Sequence, residues 1–168
     1  MAGRVEAIFI TTEAGAPMRA LVEARAVAGS GLAGDRYQTG QGYYSTRPLP
    51  GGGRQLTLIE VEVLEALRGE TGIDLGPSEA RRNLTTRGVR LNDLVGERFT
   101  VGDVLCEGIR LCEPCHYLEE LTGKAVNAPL VHRGGLRAAI LTDGTIHVGD
   151  PVRPAAGHAA ASPAEGRA

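Results

Sequence analysis

Glycine divides this chain into short segments. Its 168 residues include 24 glycines and no tryptophan, and many of the glycines separate short runs in which apolar and polar residues alternate. Because glycine accepts the backbone angles of tight turns, this distribution is typical of short strands joined by turns, as in barrels and sandwiches. The chain is also long enough to bury one real core. The sequence therefore predicts a strand-rich single domain.

Alternation places the strands along the chain. A turn at Gly15 and Pro17 separates the first two predicted strands, which cover residues 4–11 and 18–27. The other predicted strands cover residues 54–58, 83–86, 98–101, 104–111, 136–141 and 145–148. Asp143-Gly144 lies between the last two and predicts a hairpin there.

Helical patterns are short and occur singly. They are predicted from residue 59 to Gly69 or Gly72, over residues 77–81, as one turn at 91–94, and over residues 114–123. Because they do not alternate with strands in a βαβ order, the predicted fold is mainly β (α+β). We expect a β-barrel with a few inserted short helices.

Composition also predicts the domain boundaries. The single domain is expected to span residues 1–153, and residues 154–168 lack apolar anchors and are predicted to form a disordered tail. Residues 40–53, rich in glycine, proline and tyrosine, are predicted to be a loop long enough for a lid or a binding loop.

Charge and cysteine count narrow the functional class. The net charge is −2, so we expect neither a nucleic acid nor an anionic membrane as a partner. Arg4 and Glu6 interrupt any signal-peptide core, and no apolar run is long enough to span a bilayer. Three cysteines is an odd number, which favours a reducing compartment over a disulfide framework. A cytoplasmic protein is therefore expected.

Two of the cysteines form a C-x-x-C motif, Cys112 to Cys115, where a strand pattern passes into a helical one. The motif allows half of a zinc site, completed by Cys106 and by His116 or His132, or a dithiol redox centre. It also allows a single thiolate at Cys115 that binds a soft metal or carries sulfur, because the start of a helix favours the thiolate. Cys106 lies within an alternating strand and is expected to be a packing residue.

Three predicted turns carry arginine beside glycine or a second arginine. Arginine next to flexible backbone commonly holds a phosphate or carboxylate through its forked donors and neighbouring main-chain amides. An anionic cofactor or substrate near the thiolate is therefore expected. The turns are Gly34-Asp35-Arg36, Arg81-Arg82-Asn83 and Arg133-Gly134-Gly135.

Several short motifs occur in a specific order between about residues 5 and 153. They are GLAGDR (31–36), QLTLIE (55–60), RNLTTRG (82–88), LVGERFTVG (94–102), PC (114–115) with Leu118, HRGG (132–135), DG (143–144) and GDPV (149–152). In this order they resemble the MOSC domain family, which is named from the C-terminal domain of molybdenum cofactor sulfurases and includes small stand-alone bacterial proteins.

The resemblance implies a strand-rich barrel in which Cys115 carries sulfur or ligates molybdenum. It also implies that this chain binds the molybdenum cofactor (molybdopterin). Some stand-alone relatives reduce N-hydroxylated compounds with electrons from partner proteins, which implies a small-molecule substrate and an electron-transfer partner or a cysteine desulfurase. The counterparts of the family's cofactor-binding residues are Arg36, Arg82, Asn83 and Arg133, and the last lies in one motif with Gly134 and Gly135.

Two residues depart from the family pattern. Tyr37 stands where many members have histidine, and Cys112 creates a C-x-x-C that the family does not require. Two alternatives therefore remain: a non-catalytic sulfur-transfer module, and a dithiol oxidoreductase that uses Cys112 and Cys115. Pyridoxal phosphate is not expected on this chain, because the domain that binds it in full-length sulfurases is absent. This chain alone is not expected to remove sulfur from cysteine.

Overall fold

The structure is a computed structural model that describes residues 2–47 and 53–156. Residues 48–52 of the predicted loop and residues 157–168 of the predicted tail lie outside the described residues.

Short strands make up most of the regular structure in the described residues, and the helices are few. The strands are β1 (Gly3–Ile10), β2 (Arg19–Leu21), β3 (Glu23–Val27), β4 (Gly31–Leu32), β5 (Leu56–Glu60), β6 (Leu84–Arg87), β7 (Arg98–Val101), β8 (Val104–Leu111), β9 (Leu136–Ile140), β10 (Gly144–His147) and β11 (Pro151–Pro154). The helices are α1 (Val61–Thr71), α2 (His116–Thr122), α3 (Asn127–Leu130) and a 3-10 turn at Leu91–Leu94. The mainly β prediction is confirmed.

Seven strands close into a barrel. They follow the order β11-β7-β8-β9-β5-β6-β1, and β1 pairs back onto β11 with Gly3 opposite Val152. β2 extends from β1 outside this ring, and β10, β3 and β4 form a separate small sheet. The closed ring leaves its seven strands without a free hydrogen-bonding edge between them. The predicted barrel is thus confirmed.

Two clusters of buried side chains hold the fold together, and β5 contributes to both. Leu56 and Leu58 belong to the main core with residues of the other barrel strands. Ile59, between Leu58 and the helix, belongs instead to a second cluster with Leu118 of α2 and Leu130 of α3. Since successive strand residues point to opposite faces, β5 joins the barrel interior to the helical layer outside it. Leu118 anchors the helix that follows Cys115.

Helix α1 forms one βαβ unit within the barrel. It connects β5 to β6, and these two strands pair in parallel, with Leu58 opposite Leu84. The helix ends at Gly72, whose φ of 74° is the left-handed conformation common at helix C-termini. A single crossover of this kind produces no βαβ alternation in the sequence, because within the described residues only α1 connects two parallel strands. In the described part of the chain, no helix combines the length and apolarity needed to cross a bilayer.

The predicted hairpin at Asp143-Gly144 is wrong. β9 pairs with β5 and β8 in the barrel, whereas β10 pairs with β3 in the small sheet. The Asp143 carboxylate accepts a hydrogen bond of 2.7 Å from the backbone N–H of Ala28, at the end of β3. The turn signal is real, but the chain leaves one sheet there and joins the other, which a local dipeptide cannot report.

Two further element predictions need correction. Residues 18–27 do not form one strand, because the chain breaks at Val22, which is 80% exposed, and β2 and β3 lie in different sheets. Residues 77–81 form turns instead of a helix, and the segment ends at Arg81 with a left-handed φ of 60°. A left-handed residue cannot continue a right-handed helix.

Candidate functional site

Cys115 stands at the beginning of α2. It is the N-cap residue, with extended backbone angles, and its carbonyl oxygen accepts a 3.1 Å hydrogen bond from the N–H of Leu118. The helix therefore begins at His116, two residues later than predicted. Just before it, the N–H of Cys112 donates to the carbonyl of Gly135 over 2.7 Å, which fixes the end of β8 against the start of β9. Cys115 is half-buried, whereas Cys112 is only 2% exposed.

A cavity of about 60 Å³ adjoins the two cysteines. Its walls combine positive charge with aromatic rings, and all four tyrosines of the chain take part. The arginines that line it are Arg36, Arg81, Arg82 and Arg137, and the tyrosines are Tyr37, Tyr43, Tyr44 and Tyr117.

The tyrosines form a packed aromatic wall. Tyr43 and Tyr117 are stacked, with ring centroids 3.9 Å apart, and Tyr44 meets Tyr43 edge to face at 4.7 Å. Burial raises the pKa of Tyr44 well above its ordinary value, and the interaction of its hydroxyl with the Cys115 side chain raises this pKa further. Tyr44 therefore keeps its proton and can donate it in a hydrogen bond to the sulfur.

Arg36 is buried beneath this wall, only 6% exposed. Its Nη1 atom pairs with Asp35 at 3.2 Å, and its Nη2 atom donates to the carbonyl of Arg81 at 3.1 Å. Its guanidinium group also lies 4.7 Å from the ring centroid of Tyr37. The Asp35 carboxylate in turn accepts the N–H of Thr11. Because these contacts use its donors, Arg36 mainly holds the turn in place.

Arg82 ties together three segments around the cysteines. Its guanidinium donates to the carbonyls of Gly134 at 3.0 Å, Ala80 at 3.1 Å and Cys112 at 3.4 Å. Gly134 can lie so close because it has no side chain: a Cβ atom there would be 2.4 Å from the Cys112 oxygen. Arg82 therefore positions the segment that carries Cys115.

Arg81 belongs to the predicted anion-binding turn Arg81-Arg82-Asn83 but was not among the counterparts of the family's cofactor-binding residues, and in the structure it lines the cavity. Its backbone is in the left-handed conformation, and its Nη1 atom donates a hydrogen bond of 2.8 Å to the carbonyl of Ala16. Its Nη2 atom is buried and has no hydrogen-bond partner among the described residues. Burial and the nearby charge of Arg36 lower the pKa of Arg81. An orphaned donor of this kind suits an anionic ligand group.

Four predicted binding residues, Asn83, Arg133, Gly134 and Gly135, are not part of the cavity lining. Asn83 is 1% exposed and joins three strands: its Oδ1 accepts the Thr57 N–H at 3.1 Å, and its Nδ2 donates to the Phe9 carbonyl at 3.2 Å. Arg133 pairs with Glu70 at 2.6 Å and lowers the pKa of that carboxyl. The structure thus brings Arg36 and Arg82 to the cavity of Cys115, whereas Asn83 and Arg133 make their contacts outside its lining.

Position 135 requires glycine because of its backbone angle and its close approach to β5. Its φ is 113°, and a Cβ atom there would lie 2.1 Å from the carbonyl oxygen of Leu58. The glycine therefore lets the chain pass directly over β5 before β9 begins.

The residues that the zinc alternative needs, Cys106 with His116 or His132, do not form a metal site with the C-x-x-C motif in the described residues. Cys106 is fully buried in the barrel core, and burial raises the pKa of its thiol to about 12. His116 contacts Asn127 at 3.4 Å, and His132 contacts Glu113 at 3.3 Å. Across residues 2–47 and 53–156, no group of three or more histidine, cysteine or acidic side chains could hold a metal ion.

Sequence reasoning missed the aromatic wall and Arg137. Arg137 lies in β9 and reads as an ordinary exposed strand residue, so its position at the cavity depends on the pairing of β9 with β5. The run Tyr43-Tyr44 in a predicted loop was a usable signal, because paired aromatics in a long loop often face a ligand or the protein surface beneath them.

Comparison with known proteins gives a consistent picture. The family model for the MOSC domain matches residues 29–153. Solved structures of similar fold include the YuaD protein from Bacillus subtilis, with a TM-score of 0.74, 16% identity, and coverage of 90% of this chain and 94% of that chain. They also include YiiM from Escherichia coli, with a TM-score of 0.63, 18% identity, and coverage of 91% and 70%. YiiM from Geobacillus stearothermophilus has a TM-score of 0.65, 12% identity, and coverage of 91% and 75%. The search of curated proteins found no match.

Proposed function

The chain belongs to the MOSC domain family, and we propose that it binds the molybdenum cofactor, with Cys115 as molybdenum ligand or as carrier of a persulfide sulfur. The family is associated with this cofactor and with sulfur carriage. One observation carries the proposal: Cys115 is a half-buried thiol at the wall of an arginine-lined cavity, beside a tyrosine hydroxyl. Thiolate is a soft ligand, which matches a sulfur-rich molybdenum centre.

The residues present fit such a group. The orphaned Nη2 atom of Arg81 suits an anionic group, and the hydroxyl of Tyr44 beside Cys115 suits a thiolate, because both are hydrogen-bond donors. The cavity at Cys115 is small, but a second cavity of about 340 Å³ shares Tyr44, Glu113 and Arg137 with it. Since ligand sites usually measure about 300–1,000 Å³, a bound pterin would occupy the larger cavity as well.

Each residue of the site then has a task. Cys115 supplies the sulfur, Tyr44 donates to that sulfur, and the stacked rings of Tyr43 and Tyr117 keep water from it. Arg36 and Arg82 hold the surrounding turns by hydrogen bonds to the backbone. The remaining predicted binding residues stabilise the backbone around the site. The Asn83 side chain joins three strands, and Arg133 donates to the carbonyl of Pro129 in its own turn. The carbonyls of Gly134 and Gly135 accept hydrogen bonds from Arg82 and Cys112.

For the reaction, we propose the reduction of an N-hydroxylated small molecule with electrons from a partner protein. The N–O bond breaks, two electrons and two protons are consumed, and water is released. The cofactor, when bound, supplies the two-electron redox centre. We also propose that the protein is cytoplasmic, because an odd number of cysteines favours a reducing compartment over a disulfide framework.

Sulfur transfer is a second candidate, because Cys115 is the most accessible of the three thiols. A cysteine desulfurase would then load the sulfur as a persulfide. Mass spectrometry after incubation with a desulfurase should find an added sulfur atom on Cys115. A chain that stays unmodified while a known carrier is loaded would contradict this role. The dithiol alternative would require Cys115 as the attacking thiol, because Cys112 is buried.

Metal content tests the main proposal. The wild-type protein, Cys115→Ser and Cys112→Ala are purified under identical conditions, and molybdenum is measured by elemental analysis and the pterin by fluorescence after acid release. We expect molybdenum in the wild type and in Cys112→Ala, and its loss in Cys115→Ser. A Cys115→Ser protein with full molybdenum content and full activity would contradict the assignment.

A further inference from the structure

Three arginines meet in the second cavity. Arg54, Arg110 and Arg137 line a space of about 340 Å³ next to the cavity of Cys115, with Tyr44 and Glu113 in the shared wall. Arg110 and Arg137 are direct cross-strand partners, because the register of β8 and β9 places them opposite each other. The pairing of Arg110 with Arg137 is therefore built into the barrel, and Arg54 joins them from the turn that precedes β5.

The three positive charges lack carboxylate partners. In the part of the chain that the structure describes, none of them forms an ion pair, although many other arginines do. The one acidic residue in the wall, Glu113, already accepts the N–H of His132 at 3.0 Å and lies 3.3 Å from its ring nitrogen. Like charges directly opposite each other on neighbouring strands destabilise a sheet. With three arginines and one carboxylate, the lining of this cavity carries a net positive charge.

Arg54 adds a second sign of this imbalance. Burial lowers its pKa, and the charge of Arg137 lowers it further, with a smaller contribution from Arg110. Its Nη1 atom donates to the carbonyl of Arg47, but its Nε atom is buried and has no partner among the described residues. A buried donor without an acceptor is rare in proteins and often marks a place where a ligand binds.

The arginines of the predicted binding motifs differ in this respect. The donors of Arg36 go to Asp35 and to a backbone carbonyl, and those of Arg82 go to three backbone carbonyls. Among the described residues, the uncommitted guanidinium donors in the walls of the two cavities are therefore those of Arg54, Arg110 and Arg137, together with the Nη2 atom of Arg81.

From this arrangement we infer that Arg54, Arg110 and Arg137 bind a phosphomonoester group beside Cys115. Forked guanidinium donors match the geometry of phosphate oxygens, and a dianion neutralises two of the three charges at once. The group belongs either to the bound pterin or to a phosphorylated substrate such as a nucleoside monophosphate. Only the assignment of the phosphate group to a bound pterin rests on the proposed function.

Thermal unfolding tests the site without any activity assay. The wild-type melting temperature is measured with inorganic phosphate, adenosine monophosphate or adenosine, at constant ionic strength. At roughly ten times the dissociation constant, we expect phosphate and the monophosphate to raise it by about 3–6 °C, and adenosine to leave it unchanged. No shift with either phosphate compound would overturn the inference.

Charge-removing variants locate the effect. Without ligand, Arg110→Gln and Arg137→Gln should melt about 1–3 °C higher than the wild type, because the opposed charges are relieved, and both should lose the phosphate shift. Arg153→Gln, an exposed strand residue of β11, removes one charge elsewhere and should keep the shift. An equal phosphate shift in Arg110→Gln, Arg137→Gln and Arg153→Gln would overturn the inference.

Loading with cofactor separates the two sources. If the phosphate shift disappears in cofactor-loaded protein, the pterin phosphate fills the site; if it persists, a separate phosphorylated ligand does. Both outcomes support the arginine site. The molybdenum content of Cys115→Ser is an independent readout, so failure of the thiolate assignment and failure of the phosphate site are distinguishable.

Discussion

The Nη2 atom of Arg82 donates to the carbonyl oxygen of Cys112 over 3.4 Å. Together with the bond from Nε to Gly134, this contact links the beginning of β6 to the segment between β8 and α2. Arg82 and Cys112 are 30 residues apart in the sequence. The position of Cys115, three residues after Cys112, thus depends on a side chain from a distant part of the chain.

Replacing Arg82 by lysine should therefore disturb the site while keeping the charge. A lysine cannot donate to three carbonyls in fixed directions, so we expect a loss of about 1–3 kcal/mol in the free energy of unfolding. Urea denaturation measures this loss, and molybdenum content should fall with it. Arg153→Lys, on exposed β11, is the matched control and should change neither quantity. An Arg82→Lys protein as stable as the wild type would show that the three hydrogen bonds are dispensable.

Gly134→Ala should damage the same segment from the opposite side. The added Cβ atom would be 2.4 Å from the Cys112 oxygen, so the backbone must move away. We expect a loss of about 1–3 kcal/mol in unfolding free energy, comparable to overpacking of a core, and reduced molybdenum content. Gly69→Ala is the control: its Cβ meets nothing within 4 Å, and alanine inside α1 should stabilise by about 0.5–1 kcal/mol. Equal effects of the two variants would contradict the close-approach argument.

Tyr44→Phe should slow the modification of Cys115. A tyrosine hydroxyl is protonated near about pH 7, so Tyr44 beside Cys115 can donate to a thiolate, and phenylalanine cannot. We expect the rate of alkylation by iodoacetamide near about pH 7 to fall about three- to tenfold, the value of one hydrogen bond. Tyr117→Phe keeps the stack with Tyr43 and should leave the rate unchanged. The idea fails if both variants react alike.

Stability should fall at alkaline pH because of Cys106. Its folded-state pKa is raised from 9.0 to about 12, so the folded protein keeps a proton that the unfolded chain releases. This contribution is complete below about pH 9 and is lost as the pH rises toward 12. Urea denaturation across this range should give a flatter pH profile for Cys106→Ala. Tyr44 acts in the same direction, so adding Tyr44→Phe should flatten the profile further. An unchanged slope in the double variant would refute the assignment.

Sequence reasoning succeeded where the information is local. The bounds of β7 and β8 follow from alternation around the Gly102-Asp103 turn, and the end of α1 follows from Gly72. It failed where pairing decides: Asp143-Gly144 signals a turn, but only the folded chain shows that β10 joins β3.

The arginines illustrate the same limit at the site. A run of two arginines predicts anion binding in general, yet the left-handed backbone of Arg81 decides which of the pair keeps a free donor. Arg110 and Arg137 are 27 residues apart and become neighbours only through the register of β8 and β9. Neither fact is written in a local pattern, because each depends on how distant segments pack.

The pairing of β1 with β11 has a consequence for synthesis on the ribosome. Gly3 can pair with Val152 only after Val152 has left the exit tunnel. Until then the ring of strands stays open, although most of the chain is already outside the ribosome. During that interval the hydrogen-bonding edge of β1 toward β11 is open, and an open edge is where nascent chains associate wrongly. Contacts between such distant strands also form slowly, since the long intervening loop must be ordered first. Chaperone protection of the nascent chain therefore matters most for this protein before β11 emerges.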